Sequence, residues 1–393
     1  PNSLVADKPT DILLYNIMLA LGDLVYAQVE PEAKASTYGE FDTLDFVINV
    51  GEGRALVKNS IRLLGTLRIN STGTTRATGD VRLNHNIGVH ACIDSAQITF
   101  NDGAKAGIVE NIQNYGRYVR MIETGTEDIN DLMNGSNLME LKAPSANLGE
   151  ALQLAKTTVN ATGANITTDQ DFALAPVIAL NKMDGGNVPF SATGSIRVSI
   201  NLAKNLSALE GGLAGSAVNW NWSDVRLAFN HVSDRANPQP AIMRTVYNFK
   251  SSVLSSTANI SARVPAVADS VSISFQRQDR ENVNVLSNYG LEEPRNVKSL
   301  QYMFNDSTNQ YISYVIEDKN EMLEKGVESL VATGHNGVFN AGRLQRNNNF
   351  LAGLNFNGFV DLSNQRFNVQ LVSDIDTNNP YNIYMYFHSL LRL

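Results

Sequence analysis

The sequence predicts an all-β chain with helical insertions, built as two tandem β-sandwiches. Three observations predict it. From Leu44 onward, short stretches alternate apolar and polar residues and end at turn residues. Charged residues are only 18% of the chain, while Asn, Ser, Thr and Gly are abundant, which suits sheet faces covered by hydroxyls and amides. A strand pattern also recurs near half-length. Ile93–Phe100 reads Ile-Asp-Ser-Ala-Gln-Ile-Thr-Phe, and Ala268–Phe275 reads Ala-Asp-Ser-Val-Ser-Ile-Ser-Phe, at an offset of 175 positions. Asn114-Tyr115-Gly116 returns as Asn288-Tyr289-Gly290 at an offset of 174. The repeat predicts that Ile98, Phe100 and Tyr115 hold the same core positions as Ile273, Phe275 and Tyr289.

Composition narrows the class further. A chain of 393 residues, 43% apolar with 15 Phe and 13 Tyr, accommodates two domains that each bury a core. A net charge of −8 argues against a dedicated nucleic-acid binder, since phosphate calls for clustered cations. One cysteine excludes an intrachain disulfide, and Cys92 reads as a small buried apolar residue. No secretory signal is visible. The most apolar stretch, Ile12–Ala27, is broken by Asn16, Gly22 and Asp23 and falls short of the ~20 apolar residues of a spanning helix.

Residues 1–40 read as an N-terminal arm. Thr10-Asp11 caps a predicted helix over Ile12–Leu21 whose apolar residues, Ile12, Leu13, Ile17, Met18 and Leu21 among them, surround it instead of forming one stripe. Such a helix needs cover on more than one side, from its own domain, a neighbouring subunit, a partner protein or lipid. The first sandwich is predicted over 41–203. Ile61, Leu63, Gly65, Leu67 and Ile69 alternate against Arg62, Thr66 and Arg68, and short strands follow at Val81–Leu83 and Ile93–Phe100. Helices are predicted at Ile129–Met133 and Leu148–Val159, and a buried strand at Phe172–Leu180. Ser195–Leu202, with Ile196, Val198, Ile200 and Leu202 on one face, closes the half.

Gly211-Gly212 and Gly215 mark 204–221 as the linker. The second sandwich, 222–393, is predicted to begin at Trp222. Its strands fall at Val225–His231, Ala241–Phe249, Asn259–Val264, Val271–Phe275, Phe350–Phe356, Arg366–Ser373 and Tyr381–His388, with one helix at Lys319–Ala332.

Motifs that carry chemistry are missing from the sequence. It holds no Gly-Lys-Ser/Thr phosphate loop, no His-Glu-x-x-His and no Gly-x-Ser-x-Gly, so no catalytic residue, cofactor site or metal site is predicted. Asp374, Asp376 and Asn378 open like a calcium loop, but Asn379 and Met385 stand where glycine and glutamate are needed. The acidic pairs Glu127-Asp128 and Glu292-Glu293 read as solvated loop charge. Arg54, Lys58, Arg62, Arg68, Arg76 and Arg82 are interrupted by one acid, Asp80. They suit a face toward nucleic acid, anionic lipid or the acidic surface of a neighbouring subunit, and the net charge favours the last.

Two runs resemble a known family. Gly88-Val89-His90-Ala91, leading through Ile93–Phe100 to Glu110–Tyr118, is similar to the centre of the first domain of double-jelly-roll major capsid proteins. The closing run Asn349–Phe356, Val360–Leu371 and Tyr381–Phe387 is similar to their last strands. This lineage of tailless double-stranded DNA viruses includes adenovirus hexon; Polinton-like virus and virophage proteins look nearest. The resemblance implies two tandem eight-stranded jelly rolls and a structural virion protein without enzymatic activity, cofactor or small-molecule substrate. It further implies pseudo-hexagonal homotrimers of an icosahedral shell, assembled inside the host cell. Implied partners are neighbouring capsomers, penton and minor capsid proteins, and an internal membrane or genome reached through the arm. Two other classes share the β pattern: an outer-membrane-type β-barrel, and a double-jelly-roll glycan-acting hydrolase with an acidic cleft at the domain junction.

Overall fold

The computed structural model describes residues 23–72, 82–83, 87–103, 106–123, 168–210, 217–234, 239–281, 289–305, 310–331 and 350–393. Sixteen principal strands follow one another in two sets of eight. The first set is β1 (Val25–Val29), β2 (Thr43–Ile48), β3 (Arg62–Thr72), β4 (Ile93–Phe100), β5 (Gly107–Gln113), β6 (Thr168–Leu174), β7 (Ile196–Leu202) and β8 (Ala217–Ser233). They form two antiparallel sheets ordered β1-β8-β3-β6 and β2-β7-β4-β5. The second set is β9 (Ala241–Val253), β10 (Thr257–Ala262), β11 (Val267–Arg277), β12 (Ser299–Asn305), β13 (Gln310–Ile316), β14 (Ala352–Asp361), β15 (Arg366–Val372) and β16 (Tyr381–Arg392). These give β9-β16-β11-β14 and β10-β15-β12-β13.

The two orders are the same order with every strand advanced by eight. Helices obey the rule as well: α1 (Tyr115–Glu123) follows β5, and α2 (Lys319–Val331) follows β13. The molecule is two eight-stranded jelly rolls in tandem, the expected fold class. Its sheets are open and stacked in pairs, each pair enclosing apolar side chains, so the alternative of a closed membrane barrel is corrected.

Two expectations drawn from local patterns do not survive. Ile98 and Phe100 are buried in the first core, and Ile273 and Phe275 in the second. Yet β4, which carries the first pair, has β12 as its counterpart, and β11 has β3. The 175-residue repeat therefore matches strands at non-equivalent positions of the two sandwiches. Both strands alternate apolar residues with Ser, Thr or Gln although only β4 is half-buried and β11 is covered on both faces, and that shared period of two is enough to make them look alike. Tyr115 opens α1 while Tyr289 lies between β11 and β12, so these two are not equivalent either.

The second correction concerns the boundary. β8 pairs with β1 and β3, and its Trp220, Trp222, Leu227 and Phe229 belong to the first core. The glycine-rich segment is thus a connection between two strands of one sandwich, and the passage to the second domain is 234–240. β1 likewise takes Val25–Val29 out of the arm and into the first sandwich. The arm residues Ile12, Leu13, Ile17, Met18 and Leu21, and the helices expected at 129–133 and 148–159, lie outside the described residues.

Local packing explains why α2 can lie flat on β11 and β14. A Cβ on Gly353 would stand 2.4 Å from Ser329 Oγ and 2.6 Å from the Val271 carbonyl oxygen, and one on Gly326 would stand 2.7 Å from the Leu351 carbonyl oxygen. At Gly326 the helix backbone meets the strand backbone, and at Gly353 the Ser329 side chain of the helix meets the strand. Gly353→Val is expected to lift α2 and cost roughly 1–3 kcal/mol as overpacking. A urea midpoint unchanged from the parent would show that the helix does not sit this close.

Candidate assembly interface

The two sandwiches meet edge to edge. β5 runs parallel to β9, with Asn111 opposite Tyr247, and merges two four-stranded sheets into one. The short strand Met183–Gly185 also pairs with β9, antiparallel. Gln113 N donates to Asn248 Oδ1 at 2.9 Å and the Tyr247 hydroxyl to the Val109 carbonyl at 3.1 Å.

Beside this junction lies a polar cluster with almost no solvent. Glu110, on β5, is fully buried; its carboxylate accepts the N–H of Ala179 at 2.7 Å and that of Val246 at 3.1 Å. Lys182 Nζ stands 3.8 Å from it, donates to the Tyr118 hydroxyl at 2.9 Å and lies over the Tyr118 ring. Burial disfavours both charges, so the carboxyl is pushed up to about 7 and the ammonium down to about 8. Arg117 on α1 donates to the Gly290 carbonyl at 2.8 Å and packs over the Tyr384 ring at 4.4 Å. Tyr386 donates to the Asn114 carbonyl at 3.1 Å. Of the tyrosines singled out by the repeat, Tyr289 reaches across the seam, while Tyr115 is bonded within the first sandwich. Tyr115 accepts the Val177 N–H at 2.7 Å, and the Tyr289 ring packs on Gly116. Sequence reasoning missed Glu110 and Lys182, because one acid in an alternating strand reads as solvent-facing.

Because β5 and β9 consume one edge of each sandwich, the opposite edges are the ones left at the borders, without a further strand partner among the described residues. β1 and β2 border one side of the molecule, β13 and β14 the other. Both carry exposed apolar side chains: Leu24, Val25 and Tyr26 at β1, Val315 on β13 and Phe359 on β14. A cleft of about 690 Å³ lies at the first edge, lined by Val29, Glu30, Pro31, Glu32, Val47 and Arg226. The domain junction, by contrast, is packed with buried side chains among the described residues.

Other candidate chemistry is absorbed by structure. Arg54 bonds Asp23 and His231, Lys58 the Gly185 carbonyl, Arg62 the Asn59 and Ile61 carbonyls, and Arg68 pairs with Asp169, so these four cations of the basic stretch serve contacts within the chain. Asp374 pairs with Lys298 at 2.7 Å, and Asp376 accepts the N–H groups of Asn378 and Asn379, closing a turn instead of opening a cation loop. Glu292 is buried and bonded to Arg280 and to the Arg277 N–H, contrary to the loop charge expected. Ser272 bonds His388 and Ser329 of α2, and all three are buried between that helix and the sheet. Cys92 is buried, which raises its thiol pKa. Among the described residues no three His, Cys, Asp or Glu side chains are placed to hold a metal ion.

No protein-family model matches the sequence, and no curated protein matches it. Solved structures do share its fold. The mavirus major capsid protein matches with a TM-score of 0.55 at 11% identity, covering 100% of this chain and 92% of that one. The PBCV-1 virus capsid matches with a TM-score of 0.51 at 11% identity, covering 94% of each chain. The chain has the double-jelly-roll fold of these viral capsid proteins.

Proposed function

We propose that the chain is the major capsid protein of a virion and that three copies close into a ring of six sandwiches, the capsomer of an icosahedral shell. The observation that carries this reading is the pair of open edges. Within one copy, the β5 edge of the first sandwich meets the β9 edge of the second. In the second sandwich β13 holds the position of β5, and in the first β1 holds that of β9. Joining the β13–β14 side of one copy to the β1–β2 side of the next repeats the internal junction between molecules. Such head-to-tail contacts make closed rings when the rotation closes. Equal steps around six similar walls close with three chains and leave a hexagonal outline that fills a lattice.

Apolar side chains on both open edges fit an interface between subunits. Function then resides in contacts with other copies, neighbouring capsomers and penton or minor capsid proteins; the reading needs no active site. It places the chain in the virion, after assembly inside the host cell. Light scattering tests it. The expected particle has three times the 42.9 kDa chain mass at micromolar concentration, with subunit interfaces of roughly 2,000–5,000 Å². Tyr26→Asp and Val315→Asp, on opposite edges, should each yield folded monomer. A wild-type chain that stays monomeric would remove the ring.

A further inference from the structure

We infer that the N-terminal segment Ile12–Leu21 of one copy covers the apolar end of the second sandwich of the next copy, at Val267 and Phe359. The inference rests on the ring proposed above. It starts from strand directions. β5 and β9 are parallel, and β9, β16, β11 and β14 alternate in direction. The starts of β5, β9 and β11 and the ends of β14 and β16 therefore lie at one end of the molecule. β8 finishes at Ser233, with seven residues between it and the start of β9, and β1 is antiparallel to β8 with Val25 opposite His231. The start of β1 belongs to the same end.

That end is unusually apolar. Among the described residues, six of the ten exposed large hydrophobics lie there: Leu24, Val25, Tyr26, Ile108, Val267 and Phe359. Phe359 is 61% exposed, and Val267 lies close by on the neighbouring strand, where its backbone faces Asp361. The described chain also begins at this end. Asp23, the first described residue, is fixed at the β1 edge by Arg54 at 2.9 Å and by the Ser233 N–H at 2.6 Å.

Reach decides between the segment's own chain and the next. The sequence predicts a helix over Ile12–Leu21, about 15 Å long at 1.5 Å per residue. The path from β2 to β14 crosses seven strand spacings, about 34 Å at ~4.8 Å each. A helix leaving β1 falls short of Phe359 in its own molecule. In the ring, the β13–β14 edge of the adjacent copy lies beside β1, and its Val267 and Phe359 come within range. Ile12, Leu13, Leu14, Ile17, Met18, Leu19 and Leu21 supply more apolar surface than one face can present, which matches a segment held between two subunits.

Cysteine cross-linking tests this in the full chain, because Cys92 is buried and stays silent. Ile17→Cys and Phe359→Cys would be introduced into separate proteins, and also together into one. After mild oxidation the mixed single variants should give an interchain band, and the double variant a ladder up to three chains. Light scattering on the same samples reports the ring separately. Trimer with only an intrachain cross-link, or with none, overturns the inference and leaves the ring standing. Loss of cross-linking together with binding of the full chain, but not of a chain lacking residues 1–22, to phosphatidylcholine vesicles assigns the segment to lipid and overturns it too. Absence of a trimer removes the ring and this inference with it.

Discussion

Replacing Glu110 with alanine is expected to lower the unfolding free energy by about 3–5 kcal/mol, because it leaves Lys182 as a buried cation without its counter-charge. The N–H groups of Ala179 and Val246 lose their acceptor in the same step. A urea midpoint shifted by less than a third of that amount would show that water enters the seam and repairs it. The pair also makes stability depend on pH. A carboxyl whose folded pKa is raised from 4.5 to about 7 binds its proton more tightly than in the unfolded chain. Its contribution is complete below about 4.5 and is lost as pH rises through about 7. Lys182, lowered from 10.5 to about 8, contributes fully above 10.5 and loses that contribution as pH falls through about 8. Stability from the pair is therefore lowest between about 7 and 8. Glu110→Gln combined with Lys182→Met should flatten the dip. An unchanged pH profile in the double variant would place its origin elsewhere.

Phe367→Ala should cost a comparable 3–5 kcal/mol, as a large-to-small change at the centre of the second core. Phe367 lies on β15, is fully buried, and has the rings of Tyr302, Phe304, Phe356 and Phe387 within 6 Å. Phe387 comes from the facing sheet, so truncation opens a void between sheets that neither can close alone. Both tryptophans, Trp220 and Trp222, are in the first core. Tryptophan fluorescence then reports one sandwich and far-ultraviolet circular dichroism both. The outward side chains Tyr384 and Tyr386 of β16 pack into the first core, which ties the two together. Both signals should therefore shift to lower temperature in step. A fluorescence midpoint that stays at the parent value would mean the sandwiches unfold separately.

The sequence made strands legible wherever one face is core and the other is wet. Ile196, Val198, Ile200 and Leu202 alternate as a half-buried strand must, and all four are buried. It said much less about pairing. Nothing in Ile93–Phe100 distinguishes a strand beside β5 from one beside β14, since the period is two in both, and the repeat drawn from it joined the wrong partners. β8 was misplaced for a related reason: glycines mark a chain reversal equally well within a domain or between domains. β16 buries both faces, so Tyr384 and Tyr386 interleave with Ile383, Met385 and Phe387. The apolar run alone does not reveal that two cores share it. The seam escaped for the deepest reason. Glu110 is buried only because Lys182, Ala179 and Val246 converge on it from 69 to 136 residues away.

The join between β5 and β9 also changes the mass action of assembly. One chain supplies both strands, so their encounter is governed by an effective concentration, of order millimolar for short connections, instead of by the amount of protein present. A ring of six separate sandwiches would form with the sixth power of concentration. In the proposed ring three of the six edge contacts are already made within chains, and formation follows the third power. Such a ring persists under dilution that would disperse six unlinked domains.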